Sequence, residues 1–255
     1  MTETITSYPL DDGIWVFNEP INGIPQTDAY LVVGENRALI IDSLMDAPTL
    51  YEIVRGITDL PLDVLITHGH PDHAGTALQA FHEAGCSIFM ADADLYMLRP
   101  GIEAAWFKPL SDGMAFDIGG RKLEAVALPG HTPGSILLFD RANQLLFTGD
   151  AIGSGVFWMQ ISSALPLRVF LTNLEGIWER FKDYSDLKIH PGHRNQAPVQ
   201  LTRDFLHDVL IMTGHIVSGK WVGEDAEMDW GGAIMKFKTL NYNLMVNYCY
   251  NPENI

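Results

Sequence analysis

Along the first third of the chain, short apolar runs alternate with one helical stripe. Residues 13–18 and 29–34 read as strands, and Glu35-Asn36-Arg37 as the turn into a returning strand at 38–41 that ends at Asp42. Leu50, Ile53, Val54 and Ile57 repeat at i, i+3, i+4, i+7, so a helix is expected there, with Asp46 as N-cap and Pro48 in its first turn. Residues 62–67 form an apolar strand that runs straight into His68. A second helix is expected over 74–84, closed by Gly85, before a strand at 86–90. Residues 92–113 lack a clear period and read as irregular or partly helical.

The second half restarts with strands at 122–128, 136–139 and 145–148, the last two joined by a turn over 141–144. A long helix fits 167–181, with Val169, Phe170, Leu174, Ile177, Trp178 and Phe181 inward. A strand at 187–189 and a helix over 199–216 follow, and no pattern is readable beyond Gly219. ALIIDS at 38–43 and LLFTGD at 145–150 are both apolar strands that deliver an aspartate to a loop. Two β-rich halves with helices outside are consistent with that echo.

Chemistry gathers where these strands end. The run Thr67-His68-Gly69-His70-Pro71-Asp72-His73 places three histidines and an aspartate within six residues. In extended backbone, residues two apart point the same way, so His68 and His70 can reach one ion together. Asp72 and His73, expected at the following helix start, would face the same space from another side. Imidazole and carboxylate suit zinc and related first-row ions. His131 in Pro129-Gly130-His131-Thr132-Pro133-Gly134, Asp150 after Thr148-Gly149, and His193 in His190-Pro191-Gly192-His193 also follow apolar strands. Each is weak alone, because an aspartate after a strand is usually a turn residue. Together they complete a ligand set for two ions. No G-x-S-x-G elbow, phosphate-binding loop or G-x-G-x-x-G fingerprint occurs. His82, His207 and His215 lie on helical stretches and read as structural.

Composition narrows the class. The chain has 255 residues, 47% of them hydrophobic, enough for one large core. The division expected is a catalytic domain over 1–220 with residues 221–255 as a C-terminal extension packed on it. Lys+Arg is 16 against Asp+Glu 32, a net charge of −16, which repels phosphate backbones and argues against nucleic acid as a partner. Two cysteines without C-x-x-C spacing make no disulfide framework. Neither a basic-then-apolar start nor an 18-residue apolar run occurs, so no membrane association and a cytoplasmic location are expected. The oligomeric state stays open, a homodimer included.

The series H-x-H-x-D-H, G-H-T-P-G, a strand ending in G-D, and P-G-H resembles the metallo-β-lactamase fold superfamily, over residues 13–193. The resemblance implies an α/β fold, a four-layer αβ/βα sandwich with the metals at the edge between two sheets. It implies that His68, His70 and His131 hold a first metal, that Asp72, His73 and His193 hold a second, and that Asp150 bridges them. Asp42 then matches an aspartate that orients the metal-binding loop without binding metal. An aspartate at position 150 is similar to glyoxalase II and lactonases, whereas the stretch after His193 is short and poor in Lys and Arg, unlike the glutathione-recognising extension of glyoxalase II. The implied cofactors are two divalent ions, zinc first, with manganese or iron as alternatives.

The function expected is a hydrolase of a small carboxylic-acid derivative (lactone, ester, thioester or amide), working through a metal-bridging hydroxide with Asp72 as a catalytic group. A phosphodiesterase of the same fold, a metal-binding regulatory protein without activity, and an iron-dependent sulfur dioxygenase are the competing readings. Two aromatic segments are expected to wall the substrate pocket, one through Trp106 and Phe107, the other through Phe157, Trp158 and Met159.

Overall fold

The computed structural model describes residues 5–11, 13–21, 24–197, 199–230, 233–242 and 246–255. In chain order, β1 (Thr6–Asp11), β2 (Ile14–Ile21), β3 (Ile24–Val33), β4 (Ala38–Ile41), α1 (Leu50–Arg55), β5 (Leu62–Leu65), α2 (Ala77–Glu83), β6 (Ser87–Met90) and β7 (Phe107–Pro109) form the first half. Next come β8 (Ala115–Asp117), β9 (Lys122–Ala127), β10 (Ile136–Asp140), β11 (Leu145–Gly149) and β12 (Val156–Met159). The remainder is α3 (Leu167–Phe181), β13 (Lys188–Pro191), β14 (Leu201–Thr202), α4 (Arg203–Val217), β15 (Glu224–Trp230), β16 (Ala233–Tyr242) and β17 (Val246–Tyr250).

The first sheet runs β1 to β7 in sequence order, antiparallel through β4 and parallel from β4 to β7. The second has the order β14-β13-β11-β10-β9-β8. Alternation of side chains shows how the sheets stack. On β2, Ile14 and Val16 join the cluster that also holds Leu138 and Phe147, whereas Phe17 joins Leu50, Val54 and Phe81 of α1 and α2. On β10, Leu138 faces the first sheet and Leu137 and Phe139 face the cluster of α3 and α4. The order is therefore helices, sheet, sheet, helices, a four-layer αβ/βα sandwich. Leu167, Phe170, Leu174, Ile177 and Phe181 form the buried stripe of α3, each contributing roughly 1.5–3 kcal/mol by burial.

Several elements differ from the sequence reading. The first helix begins at Leu50 behind Thr49, not behind Asp46. The backbone from Ser43 to Thr49 instead forms a loop in which Glu19 accepts from the amides of Met45 and Asp46 at 2.6 and 2.9 Å. The second helix begins at Ala77, so Asp72 and His73 lie in the turn before it and not at its start. The amides of His73 and Ala74 are taken by the His70 carbonyl. Residues 201–202 are a strand paired with β13 before α4 opens at Arg203 under a Thr202 cap. The stretch 92–113 holds two 3-10 turns, Asp92–Met97 and Ala104–Trp106, and β7.

The unreadable C-terminal stretch forms a third sheet, β12-β17-β16-β15. Strand β17 pairs in parallel with β12, Phe157 opposite Tyr248 and Met159 opposite Tyr250. Tyr248 and Tyr250 are fully buried in the α3/α4 core. Among the described residues, no helix is long and apolar enough to cross a membrane.

Candidate metal centre

Strands β4, β5, β11 and β13 run side by side or face to face and end on the same edge of the sandwich. Their loops deliver Asp42, His68 to His73, Asp150 and His193. His131 comes from the β9–β10 connection. Two groups of ligand-type side chains result, His68/His70/His131 and Asp72/His73/Asp150/His193, each with donor atoms within 4.8 Å of one another.

Hydrogen bonds behind the rings fix which nitrogen faces inward. The Thr67 hydroxyl donates to Asp42 Oδ2 at 2.9 Å, so its oxygen accepts from His68 Nδ1–H at 3.1 Å. Ser163 Oγ donates to the His131 carbonyl and accepts from His70 Nε2–H at 3.0 Å. His131 Nδ1–H donates to the Trp158 carbonyl at 2.9 Å, His73 Nδ1–H to Asp42 Oδ2 at 2.8 Å, and His193 Nδ1–H to the Gln26 carbonyl at 2.8 Å. In a neutral ring the second nitrogen then carries a lone pair.

Those lone pairs converge. His70 Nδ1 lies 2.9 Å from His68 Nε2 and 3.0 Å from His131 Nε2. Three lone pairs at that spacing repel one another unless a cation lies among them. In the second group, His73 Nε2 and Asp150 Oδ1 are buried without a hydrogen-bond partner and face each other at 3.4 Å. Asp150 Oδ2 is 3.1 Å from His193 Nε2 and 3.8 Å from His131 Nε2, so this carboxylate looks toward both groups. Asp72 Oδ2 stands 3.5 Å from His193 Nε2 and 3.7 Å from His73 Nε2. Nitrogen and carboxylate donors with orphaned buried atoms fit divalent metal ions.

Electrostatics divide the groups. Burial pushes His131 down to about 4, and burial with the neighbouring rings holds His68 well below the usual imidazole range. Burial also opposes charge on His193, but Asp150 and Asp72 outweigh it and push that ring up to about 10. Burial would raise Asp72, yet His73 and His193 bring it down to about 2. The first group thus disfavours protons, whereas the carboxylates of the second draw positive charge toward it.

His70, Asp72, His131, Asp150 and His193 floor a cavity of about 860 Å³, with His68 and His73 buried behind them. Met45, Tyr96, Met97, Trp158, Ile161 and Met235 supply its apolar wall, and Gln26, Ser162 and Gln196 add polar groups. Among the described residues lining it, none is Lys or Arg. Of the aromatic residues expected in this wall, only Trp158 lines it. Trp106 stacks on His82 at 4.5 Å, and both Trp106 and Phe107 pack on the α1/α2 core instead. Phe157 and Met159 are buried at 1% exposure, Phe157 stacked on Tyr248 at 4.9 Å. Alternation along β12 is the reason: Trp158 points opposite to its neighbours. His190, in the same motif as His193, lies apart from both groups against Tyr30 and Phe147. Sequence reading missed Ser163, Asp94 and Met235, because each comes from a segment without a ligand motif.

The model of the metallo-beta-lactamase superfamily matches residues 22–193 of this chain, which belongs to that superfamily. Acyl-coenzyme A thioesterase MBLAC2 of Gallus gallus is 29% identical over 224 residues, 73% of this chain and 79% of that protein. Hydroxyacylglutathione hydrolase GloC of Haemophilus influenzae is 31% identical over 153 residues, 53% of this chain and 71% of that one. Among solved structures, DIM-1 metallo-beta-lactamase superposes with a TM-score of 0.67 at 14% identity, covering 83% of this chain and 98% of that chain. VMB-1 gives 0.66 at 13% identity, covering 87% and 100%. These likenesses to solved structures concern the fold. With hydrolases among its relatives and this donor set, the chain is a metal-dependent hydrolase.

Proposed function

We propose that this chain is a binuclear hydrolase of carboxylic-acid derivatives, acting on acyl thioesters or esters whose acyl group is uncharged and apolar, with zinc as the resident ion. The observation that carries the reading is the set of seven donor side chains gathered in two groups, five of which line a cavity with a largely apolar wall while His68 and His73 lie buried behind them. His68, His70 and His131 would hold one ion, Asp72, His73 and His193 the other, and Asp150 would serve both. When bound, such ions polarise a carbonyl and lower the pKa of a water toward ~7.

The chain's own residues do the rest. Asp72, with a side chain 22% exposed, reaches the cavity and stays ionised at neutral pH. It can accept a hydrogen bond from the attacking water and hold its lone pair toward the substrate carbonyl. Trp158, Ile161 and Met97 exclude water around an acyl chain, and Ser162, Gln26 and Gln196 offer hydrogen bonds to the leaving group. Of the two relatives cited above, one is named an acyl-coenzyme A thioesterase and the other a hydroxyacylglutathione hydrolase, which favours cleavage of an acyl bond. The −16 net charge and the absence of Lys and Arg among the described residues lining the cavity disfavour a phosphodiesterase.

Elemental analysis of zinc-replete protein, with a panel of acyl thioesters, p-nitrophenyl esters, lactones, β-lactams and phosphodiesters, tests the reading. Two ions per chain and turnover of thioesters or esters, lost on chelation and restored by zinc, are expected. No more than one ion, or phosphodiesters as the best substrates, would overturn it.

A further inference from the structure

The 3-10 turn Asp92–Met97 carries a carboxylate that the proposed chemistry does not use. Asp94 is fully buried and is not among the residues lining the cavity. Its Oδ2 accepts from the Gly69 amide at 3.0 Å and from the Thr132 hydroxyl at 2.6 Å. Its Oδ1 accepts from the Gly134 amide at 2.7 Å. Gly69 sits between His68 and His70, and Thr132 follows His131. One side chain thus ties together the two loops that supply the whole first donor group.

The glycines of both motifs record the same contact. A Cβ on Gly69 would come within 2.9 Å of Asp94 Cβ and 2.7 Å of its carbonyl oxygen. A Cβ on Gly134 would come within 2.6 Å of Asp94 Cγ. The glycines in H-G-H and H-T-P-G therefore let each loop close onto this carboxylate. The second donor group is held differently: Asp42 orients His73, and the Gln26 carbonyl orients His193.

We infer that Asp94 is a positioning residue for the first metal site, setting the separation of the His68/His70 loop from the His131 loop. The inference rests on reading His68, His70 and His131 as ligands of one ion. Buried carboxylates that fix ligand loops typically account for 10–100-fold in metal affinity. Tyr96 and Met97, two and three residues on, line the cavity, so the same turn carries part of the substrate wall.

The test titrates metal-free protein with Co²⁺, read by its visible spectrum, and with Zn²⁺ against a chromophoric chelator. Asp94→Asn and Thr132→Val are compared with wild type, each below its melting temperature. Thr132→Val removes one of the three bonds at nearly constant volume and serves if Asp94→Asn does not fold. Two controls frame the result. His131→Ala removes a proposed ligand. Asp140→Asn disturbs an equally buried carboxylate, paired with Arg121 at 2.9 Å on the second sheet. The expected result is a 10–100-fold weaker first site in Asp94→Asn, a smaller loss in Thr132→Val, and second-site affinity within about threefold of wild type. Asp140→Asn should lower the melting temperature and leave both affinities unchanged. If His131→Ala still binds two ions at wild-type affinity, the ligand reading itself fails. If His131→Ala loses one ion while Asp94→Asn and Thr132→Val bind both normally, or if affinity follows melting temperature in every variant including Asp140→Asn, the role of Asp94 is overturned and the ligand reading survives.

Discussion

Replacing Asp42 by Asn isolates what a buried carboxylate does for a ligand ring. Asp42 is 2% exposed and accepts three hydrogen bonds: from the Thr67 amide at 2.8 Å, the Thr67 hydroxyl at 2.9 Å and His73 Nδ1–H at 2.8 Å. Asn keeps the shape and can keep the first bond through its oxygen. Its amide group then meets two donors where Oδ2 met acceptable partners. His73 escapes the clash by moving its proton to Nε2, the nitrogen that faces Asp150 and Asp72. That tautomer cannot offer a lone pair to an ion. Loss of such an orienting partner typically costs 10–100-fold in metal affinity, about 1.4–2.8 kcal/mol. Two charge-assisted bonds lost in the interior cost stability as well, about 2–4 kcal/mol after partial relaxation. That corresponds to a fall of about 5–15 °C in melting temperature for a chain of this size. The assay is zinc titration of metal-free Asp42→Asn against a chromophoric chelator, with melting curves alongside. Affinity within twofold of wild type for both ions would refute the tautomer reasoning, whatever happened to the melting temperature.

Three further outcomes are expected. Asp72→Ala and His70→Ala should each abolish hydrolysis in the thioester and ester panel while circular dichroism stays close to wild type; near-full turnover by Asp72→Ala would defeat its assigned role. Trp158→Ala should lower kcat/KM selectively for bulky acyl groups, whereas Phe157→Ala, which empties a core position, should cost about 3–5 kcal/mol of stability and affect all substrates alike; the reverse pattern would undo the assignment of the wall. His190 is buried and pushed down to about 3 by burial, with Arg194 and Lys188 adding to the shift. A base whose folded pKa is depressed contributes nothing above ~6.5 and lowers stability as pH falls from there toward 3, by about 2 kcal/mol at pH 5. Urea unfolding of metal-free His190→Asn should therefore lose less stability between pH 7 and pH 5 than wild type by that amount, and parallel losses would contradict it.

What could be read from the sequence was what local pattern encodes. Strands β4, β5, β10 and β11 are mainly apolar runs because both faces are covered, and three of them, β4, β5 and β11, lead into Asp42, His68 and Asp150. Helix α3 shows its stripe because one face meets solvent. The third sheet hides because β15 and β16 carry Glu224, Asp225, Glu227, Lys236 and Lys238 on half-exposed strands, and only β17, pairing with β16 on one side and with β12 on the other, ties them to the sandwich. Trp106 and Phe107 misled for a related reason: an aromatic pair carries no record of whether it packs on the cavity or, as here, on the α1/α2 core. Asp94 was invisible because its meaning lies in two loops 25 and 40 residues away.

The site rests on carboxylates that would not touch an ion. Asp42 holds His73 and Thr67, Asp94 holds the loops of His68, His70 and His131, and Asp28 holds the loop of His193. Asp28 Oδ2 accepts from the Arg194 amide at 2.8 Å, and its own amide donates to the Gly192 carbonyl at 2.8 Å. Burial pushes the Asp28 carboxyl up, opposed by the bonds from Asn18 and Arg194. Each of the three comes from a different element, and each ties a ligand loop to a sheet or to another loop through bonds that include at least one backbone amide. Such bonds depend little on which side chains fill the rest of the sandwich. The core can exchange apolar residues of similar volume while these loops keep their separation. Residues behind the proposed ligands are therefore expected to be sensitive positions of this protein, since an isosteric change there alters a proton position or a loop anchor.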